Sequence, residues 1–152
     1  MSLIVTPFNT PVGWLEITHD EQHVHRALFS ENPLKGTLTT QFCQVIAAEL
    51  ENYFTQSYYR FQLPLKPEGT PYQLRVWNAL LVIPAGRTLT YGELAQKLQS
   101  SPRAIGQACK KNPLAVFIPC HRVVAKDHIG GFMGRTDALP FKIALLNHEK
   151  TS

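Results

Sequence analysis

A cysteine and a histidine are neighbours in this chain, at Cys120 and His121. A thiol with an imidazole beside it can form a thiolate nucleophile, because the imidazole can accept the thiol proton. The pair directly follows Pro119 in an apolar, β-prone run, where burying an unpaired imidazole costs free energy. Adjacent residues of a regular strand point to opposite faces, so the two side chains can cooperate only if the chain bends here. The alternative is that His121 is a core histidine satisfied by a neighbouring group.

The composition is that of an ordinary globular protein, with one domain or two lobes that share a surface. The chain has 152 residues, of which 44% are hydrophobic and 17% charged, and this balance excludes a disordered chain. The net charge of +4 is compatible with nucleic acid but does not by itself indicate it. Three cysteines without CxxC spacing argue against a disulfide scaffold and a structural zinc, and favour the cytosol. We expect neither a signal peptide nor a membrane span.

The first part of the chain has the pattern of strands followed by a helix. Residues 3–10, 13–19 and 23–29 are short β-prone runs separated by turn signals. Residues 39–55 have apolar side chains at helical spacing, which predicts an amphipathic helix. The members of that stripe are Phe42, Val45, Ile46, Leu50, Tyr53 and Phe54. Residues 58–63 are predicted to form one more strand. A segment rich in proline and glycine follows, so we divide the chain into lobes 1–68 and 69–152.

The second part has the pattern of short helices. Apolar spacing predicts one helix from about residue 72 to 81. The sequence from Thr90 to Glu93 is a capping box that opens a helix to about residue 98. Ser101 followed by Pro102 opens another helix to about residue 111. Two short helices separated by a few polar residues form a helix-turn-helix pattern. A last helix, about 140–150, carries Glu149.

The helix after Ser101 has one apolar and one basic face. Its apolar positions are Ile105, Ala108 and Cys109, while its polar positions are Arg103, Gln107, Lys110 and Lys111. A small residue such as Ala104 allows close approach to a DNA groove, and cations suit phosphates. The alternative is a solvated helix face. We expect Cys109 and Cys43 to be core residues.

The segment from Pro119 to Val123, with Asn112-Pro113 upstream, resembles the signature of the O6-alkylguanine-DNA alkyltransferases, also called methylated-DNA–protein-cysteine methyltransferases. The resemblance is close over residues 69–150, and the first lobe matches in its general strand-and-helix plan. It implies an α+β, two-lobed fold. The first lobe would be a ribonuclease-H-like antiparallel sheet with a helix, and the second a helical, winged-helix-like domain with a helix-turn-helix and the active site.

The resemblance also implies a reaction and a partner. The alkyl group of O6-alkylguanine in double-stranded DNA moves to a cysteine, and the protein is consumed because a thioether lies outside reversible thiol chemistry. The helix-turn-helix would enter the minor groove, and the damaged nucleotide would be flipped out of the stack. A monomer without cofactor or metal is expected, in the bacterial cytoplasm or nucleoid. Alkyl size and action on O4-alkylthymine stay open.

The resemblance assigns the chemical roles residue by residue. Cys120 would be the nucleophile, His121 its base through a water, and Glu149 the group that orients the imidazole, in the manner of a triad. Tyr91 would donate its phenolic proton to guanine N3 as the base departs. The alternatives are a surface glutamate at Glu149 and a packed tyrosine at Tyr91.

Further positions follow from the same resemblance. Asn112 would be a hinge that bonds the backbone near the cysteine, although Asn-Pro also ends helices. Arg103 would fill the space that the flipped base leaves, or contact a phosphate. The DNA-contacting residues would be Arg103, Ala104, Gln107, Lys110 and Tyr91. The substrate pocket would be formed by Val123, Phe132, Met133 and Gly134.

Backbone groups would complete that pocket. The carbonyls of Cys120 and Val123 would accept from the guanine amino group, and the Met133 N–H would donate to O6. Relatives usually have two small residues where this chain has Gly106-Gln107, and a tyrosine in place of Phe132. Gln107 would crowd the groove or add a contact there, and the changed, slightly longer loop over 132–139 affects which bulky O6-alkyl groups fit.

Two other classes of protein compete with this interpretation. Alkyltransferase-like proteins flip the damaged base but lack the cysteine, and Cys120 argues directly against that class. An unrelated Cys-His hydrolase would need an oxyanion hole and would not need a basic helix-turn-helix.

Overall fold

A three-stranded antiparallel sheet forms the first lobe. The computed structural model describes residues 2–33, 36, 40–135 and 138–150. Strands β1 (Ile4–Thr10), β2 (Gly13–His19) and β3 (Val24–Ser30) pair in that order. Alternate residues of β2, among them Leu15 and Ile17, are fully buried, as the alternation predicts for a sheet with one covered face. The three predicted strands and the α+β class are confirmed.

Helix α1 (Gln41–Thr55) packs against this sheet. Thr40 caps it, with its hydroxyl accepting from the Cys43 amide. The buried positions of α1 are Cys43, Ile46, Leu50 and Tyr53. Val45, which the apolar stripe included, is 46% exposed. The predicted first residue of the helix, 39, lies outside the described residues.

The strand predicted over residues 58–63 is wrong. This segment forms no strand, and the bridge to the sheet comes later, between Leu65 and Val24. Its aromatic residues do not alternate between the two faces of a sheet. Phe61 instead packs on Tyr53 of α1, with ring centroids 4.9 Å apart. The backbone N–H of Gln62 donates to the Glu49 carboxylate, so a side chain takes the place of a strand partner.

The second lobe consists of short helices with well-made caps. Helices α3 (Tyr91–Leu98) and α4 (Pro102–Lys110) begin at the predicted signals, and α2 (Pro71–Leu81) begins near the residue that apolar spacing predicts. Capping boxes at Thr70 and Thr90 open α2 and α3. Helices α3 and α4 form the helix-turn-helix. Trp77 of α2 fixes α4 from behind, because its indole N–H donates to the Ala108 carbonyl over 2.9 Å. The last helix, α5, spans Leu139–Lys150.

Two short pairings place the functional segments. Strands β4 (Leu89–Thr90) and β5 (Val123–Val124) pair in parallel, which sets Tyr91 beside the chain that follows Cys120. The edge of the first lobe also pairs with the segment before Cys120, since the Ala27 N–H donates to the Pro113 carbonyl and the Ala115 N–H donates back. Both lobes therefore hold the segment that carries the cysteine. No helix within the described residues is long and apolar enough to cross a membrane.

Candidate active site

The chain bends at the cysteine, as cooperation between adjacent side chains requires. Residues Cys120–Arg122 form one turn of 3-10 helix that starts after Pro119. The Arg122 N–H donates to the Pro119 carbonyl over 3.0 Å and closes the turn. Cys120 is 4% exposed and His121 is fully buried. The bend, and not the neighbourhood in sequence, sets the relative directions of the thiol and the imidazole.

Glu149 lies next to His121, although 28 positions separate them in sequence. The Nε2 atom of His121 is 2.8 Å from Glu149 Oε2, and both side chains are buried. The same oxygen accepts from the Tyr53 hydroxyl at 2.6 Å and from Arg122 at 2.8 Å. The second carboxylate oxygen accepts from Arg122 Nε at 3.0 Å. The prediction that α5 packs its glutamate against the cysteine turn is confirmed in geometry.

These donors decide which imidazole nitrogen is basic. An ionised carboxylate only accepts hydrogen bonds, so the Nε2 of His121 must carry the proton that it shares with Glu149. The Nδ1 atom then has the free lone pair, and this buried atom has no hydrogen-bond partner among the described residues. His121 therefore presents Nδ1 as the nitrogen able to accept a proton.

Burial and hydrogen bonding set the charges of the pair. Burial lowers the pKa of His121, and the Glu149 carboxylate opposes that effect. Burial raises the pKa of Glu149, but hydrogen bonds from His121 and Arg122 outweigh it and hold that pKa well below its usual range. The site therefore contains an ionised carboxylate beside a neutral imidazole.

Asn112 fixes the segment that leads to the cysteine. Its amide Nδ2 donates to the Ile118 carbonyl and its Oδ1 accepts from the Leu114 N–H, both over 2.9 Å. Between these two contacts Val116 has a φ of 76°, which is rare for a β-branched residue. Burial raises the pKa of the Cys120 thiol, and a hydrogen bond with the Asn112 side chain counteracts this.

A cavity of about 430 Å³ opens on the thiol. Its wall is formed by helix α4 and by residues 128–135 of the loop that precedes α5, which we call the pocket loop. The lining residues include Tyr91, Gly106, Cys109, Lys110, Cys120, His128, Phe132, Met133 and Gly134. Met133 and Gly134 both have left-handed backbone conformations, with φ of 56° and 65°. Three of the four predicted pocket residues line the cavity; Val123 does not, because it is fully buried beneath it.

Tyr91 lies at the start of α3 with its ring in the cavity wall. Burial, together with the nearby thiols, raises its pKa to about 12, so the phenol keeps its proton near neutral pH. Gly130 touches it: a Cβ atom at Gly130 would lie 3.1 Å from the phenol oxygen, and the φ there is 80°. Only glycine allows the loop to pass this close in that conformation.

Helix α4 presents the predicted basic face. Arg103, Gln107 and Lys110 are exposed, while Cys109 is buried as expected and also reaches the cavity. The aliphatic part of Lys110 lies against the pocket loop, since a Cβ at Gly134 would be 2.7 Å from Lys110 Cγ. The rim of the cavity and the exposed face of α4 are therefore continuous.

Sequence reasoning missed three residues of the site. Lys142 is buried on α5 and donates to the carbonyls of Val123 and Gly131, both over 2.8 Å. Burial lowers its pKa to about 8, and the two nearby thiols oppose that shift. Arg122 is part of the signature but was given no role, and Tyr53 was counted as an apolar helix position. A lysine on the same face of α5 as Leu145 and Glu149 was the available signal.

The fold and the site together define a class of protein: one with a buried, histidine-paired thiol at the base of a pocket beside a helix-turn-helix. Residues 71–151 match the family model for the DNA-binding domain of 6-O-methylguanine DNA methyltransferase. Among the described residues, no group of three or more histidine, cysteine or acidic side chains could hold a metal ion.

Similarity to individual proteins extends over the whole chain. The methylated-DNA–protein-cysteine methyltransferase of Methanosarcina acetivorans is 35% identical over 150 residues, covering 93% of this chain and 95% of that protein. The constitutive enzyme of Bacillus subtilis is 35% identical over 159 residues, covering 97% and 95%. The crystal structure of the Mycobacterium tuberculosis O6-methylguanine methyltransferase superposes with a TM-score of 0.85 at 30% identity, covering 99% of this chain and 94% of that one. The DNA complex of the Mycobacterium tuberculosis protein gives 0.81.

The chain belongs to the O6-methylguanine DNA methyltransferase family. Its activity is the direct reversal of DNA alkylation, in which a cysteine of the protein accepts the methyl group.

The contacts of Asn112 generate a stability prediction. Asn112→Ala leaves the buried Ile118 carbonyl and Leu114 N–H unpaired, so the free energy of unfolding should fall by about 2–4 kcal/mol. Urea unfolding measures this, with Asn78→Ala, an exposed position in α2, as the matched control. The control should change stability by less than about 0.5 kcal/mol. Equal effects of the two substitutions would contradict a bracing role for Asn112.

Proposed function

We propose that Cys120 is the alkyl acceptor and that His121 and Glu149 activate it. One observation carries this proposal: the thiol opens on the cavity, and the turn that carries it also fixes His121 against a buried carboxylate. The second thiol of the cavity, Cys109, has no imidazole partner comparable to His121 among the described residues. Burial raises the pKa of Cys109 to about 12, so it stays protonated.

The reaction follows from these groups. The Cys120 proton passes to His121 Nδ1, through a water as the family resemblance implies, and the sulfur attacks the alkyl carbon. An S–C bond forms as the bond from that carbon to O6 breaks, and guanine departs with the electron pair. Tyr91, which stays protonated, supplies a proton to guanine N3. Glu149 stabilises the imidazolium. The thioether has no good leaving group, so each molecule reacts once.

Helix α4 connects DNA binding to the cavity. We assign Arg103, Ala104, Gln107 and Lys110 to the DNA contact. Gly106 and Lys110 line the cavity and also belong to α4, so a duplex that lies on this helix would have a flipped nucleotide next to the opening. We assign Arg103, an exposed residue at the start of α4, to the space that the flipped base leaves in the stack. The sulfur cannot reach the alkyl carbon of a stacked guanine.

The remaining assignments concern the pocket and the chain as a whole. Phe132, Met133 and Gly134 would contact the base, with the Met133 N–H as donor to O6. The Val123 carbonyl already accepts from Lys142, so any contact of this oxygen with the guanine amino group would use its second lone pair.

We place the lobe boundary at residues 68 and 69, close to the start of the family match at residue 71. A cytoplasmic location is supported by the three cysteines, which are buried and form no disulfide with one another.

The acceptor can be identified by mass. Incubation with a duplex that carries one O6-methylguanine should add one methylene, about 14 Da, to Cys120 and to no other residue. Cys120→Ala should remain unmodified although Cys109 still lines the cavity. An adduct on Cys109 or Cys43, or turnover beyond one equivalent, would contradict the assignment.

Base flipping gives a prediction for Arg103. Arg103→Ala should slow transfer from a duplex by about tenfold or more, because extrusion loses its support, and should leave transfer from free O6-benzylguanine nearly unchanged. Arg60→Ala, which removes one exposed cation from the first lobe, is the control. Equal losses on both substrates would assign Arg103 to something other than flipping.

Cys120, His121 and Glu149 form the proposed proton relay, and their charge states give a pH prediction. Transfer requires neutral His121, whose pKa is lowered from 6.5 by burial. The rate should therefore fall only at pH values below 6.5, and we call this fall the acid limb of the rate profile. Glu149 opposes that lowering, so Glu149→Gln should move the acid limb to still lower pH while its plateau rate falls by about tenfold or more. Single-turnover rates from pH 5 upward measure both. Glu51→Gln, at an exposed position of α1, is the control. An acid limb unchanged by Glu149→Gln would contradict the relay.

A further inference from the structure

Tyr53 reaches the active site from the other lobe. It lies on α1, is fully buried, and donates its hydroxyl hydrogen to Glu149 Oε2 over 2.6 Å, across 96 positions of sequence. Burial raises the pKa of this phenol far above its usual value, and the negative charge of Glu149 adds to the effect. Tyr53 therefore remains a donor to the carboxylate at every pH at which the protein works.

The ring of Tyr53 is held from three directions. Phe61 stacks on it at 4.9 Å and Phe54 meets it edge-on at 4.8 Å. His148, the neighbour of Glu149 on α5, contacts the ring at 4.9 Å and hydrogen-bonds through Nε2 to the Tyr53 carbonyl at 2.7 Å. A ring so constrained places its hydroxyl within a narrow range of positions.

Packing alone does not explain the hydroxyl. Phenylalanine would fill the same aromatic cluster, and a buried hydroxyl without a partner costs free energy. This hydroxyl is aimed at the oxygen that also receives the Nε2 proton of His121. It competes with the imidazole for the negative charge of the carboxylate.

We propose that Tyr53 is a positioning residue for alkyl transfer, through which the first lobe fixes Glu149 and sets the basicity of His121. This inference rests on the roles proposed above for Cys120, His121 and Glu149. The hydroxyl neutralises part of the carboxylate charge, which keeps His121 less basic and therefore neutral. It also holds Glu149 Oε2 in hydrogen-bond position for His121 Nε2. The orientation of the imidazole, and with it the direction of Nδ1, is thereby fixed.

The electrostatic consequence has a definite sign. The charged and titratable groups near His121 are Glu149, Arg122, Lys142 and Cys120, besides Tyr53 itself. Without the phenol, the carboxylate charge is less compensated, so the pKa of His121 should rise. The acid limb of the rate profile should then move to higher pH, in the direction opposite to that expected for Glu149→Gln.

The test uses Tyr53→Phe in the full-length protein, with Tyr59→Phe as its matched control. Tyr59 also lies in the first lobe and also donates to a carboxylate, that of Glu49, but among the described residues neither member of this pair hydrogen-bonds to His121 or Glu149. Single-turnover transfer from free O6-benzylguanine is measured from pH 5 to 8. Tyr53→Phe should lower the plateau rate by about tenfold and move the acid limb up by about half a pH unit. Tyr59→Phe should leave both unchanged.

Two outcomes would overturn the proposal. One is a wild-type profile for Tyr53→Phe, and the other is a lower rate with an unmoved acid limb, which is what a merely structural tyrosine would give. If Tyr53→Phe does not fold, fluorotyrosine incorporated at position 53 keeps the ring and strengthens the donor, so the acid limb should move to lower pH. An unmoved limb in that protein would likewise overturn the proposal.

The same experiment separates this inference from the proposed function. Wild-type protein and Glu149→Gln are measured in parallel with the tyrosine variants. If wild type shows no acid limb, or if Glu149→Gln leaves it in place, the relay itself fails. If Glu149→Gln moves the limb and Tyr53→Phe does not, only the role of Tyr53 fails.

Discussion

A buried carboxylate is the constraint on which the rest of the structure depends. Glu149 is 2% exposed, and an ionised carboxylate can be buried at that level only if charged or strongly polar donors surround it. Its donors come from two separate segments: Tyr53 on α1, and His121 and Arg122 on the turn Cys120–Arg122. Satisfying one side chain therefore brings α1, the turn and α5 to a single point. A contact that stabilises the fold is also the contact that fixes the imidazole.

In the segment that leads to Cys120, contacts that stabilise the fold also position a functional group. The edge of β3 pairs with residues 113–115, and Asn112 spans the loop that contains the strained Val116. Lys142 ties β5 to the pocket loop by two carbonyl contacts. Cys120, the proposed nucleophile, therefore lies on a short turn held by both lobes and by α5. Preorganisation of this kind is what a single-use thiol needs, because it must meet one alkyl carbon in line.

Much of this could be predicted from the sequence, because local signals are strong where helices start. The caps at Thr90 and Ser101 and the alternation in β2 gave the correct elements, and the signature around Cys120 led to His121 and Glu149. Tyr53 could not be recognised, since its ring belongs to the apolar stripe of α1 and only its hydroxyl serves the site. The sequence predicts a strand after Ser57 because aromatic residues favour strands. The same residues also suit an irregular segment whose rings pack on a helix, and the sequence pattern does not separate the two.

The central claim is that Glu149 keeps the proton of His121 on Nε2 and leaves Nδ1 bare. Nitrogen-15 NMR of the histidine-labelled, unreacted protein measures this directly, with His121→Gln used to assign the resonances. We expect His121 to be a neutral imidazole near neutral pH, with its proton on Nε2. A proton on Nδ1, or an imidazolium at neutral pH, would contradict it.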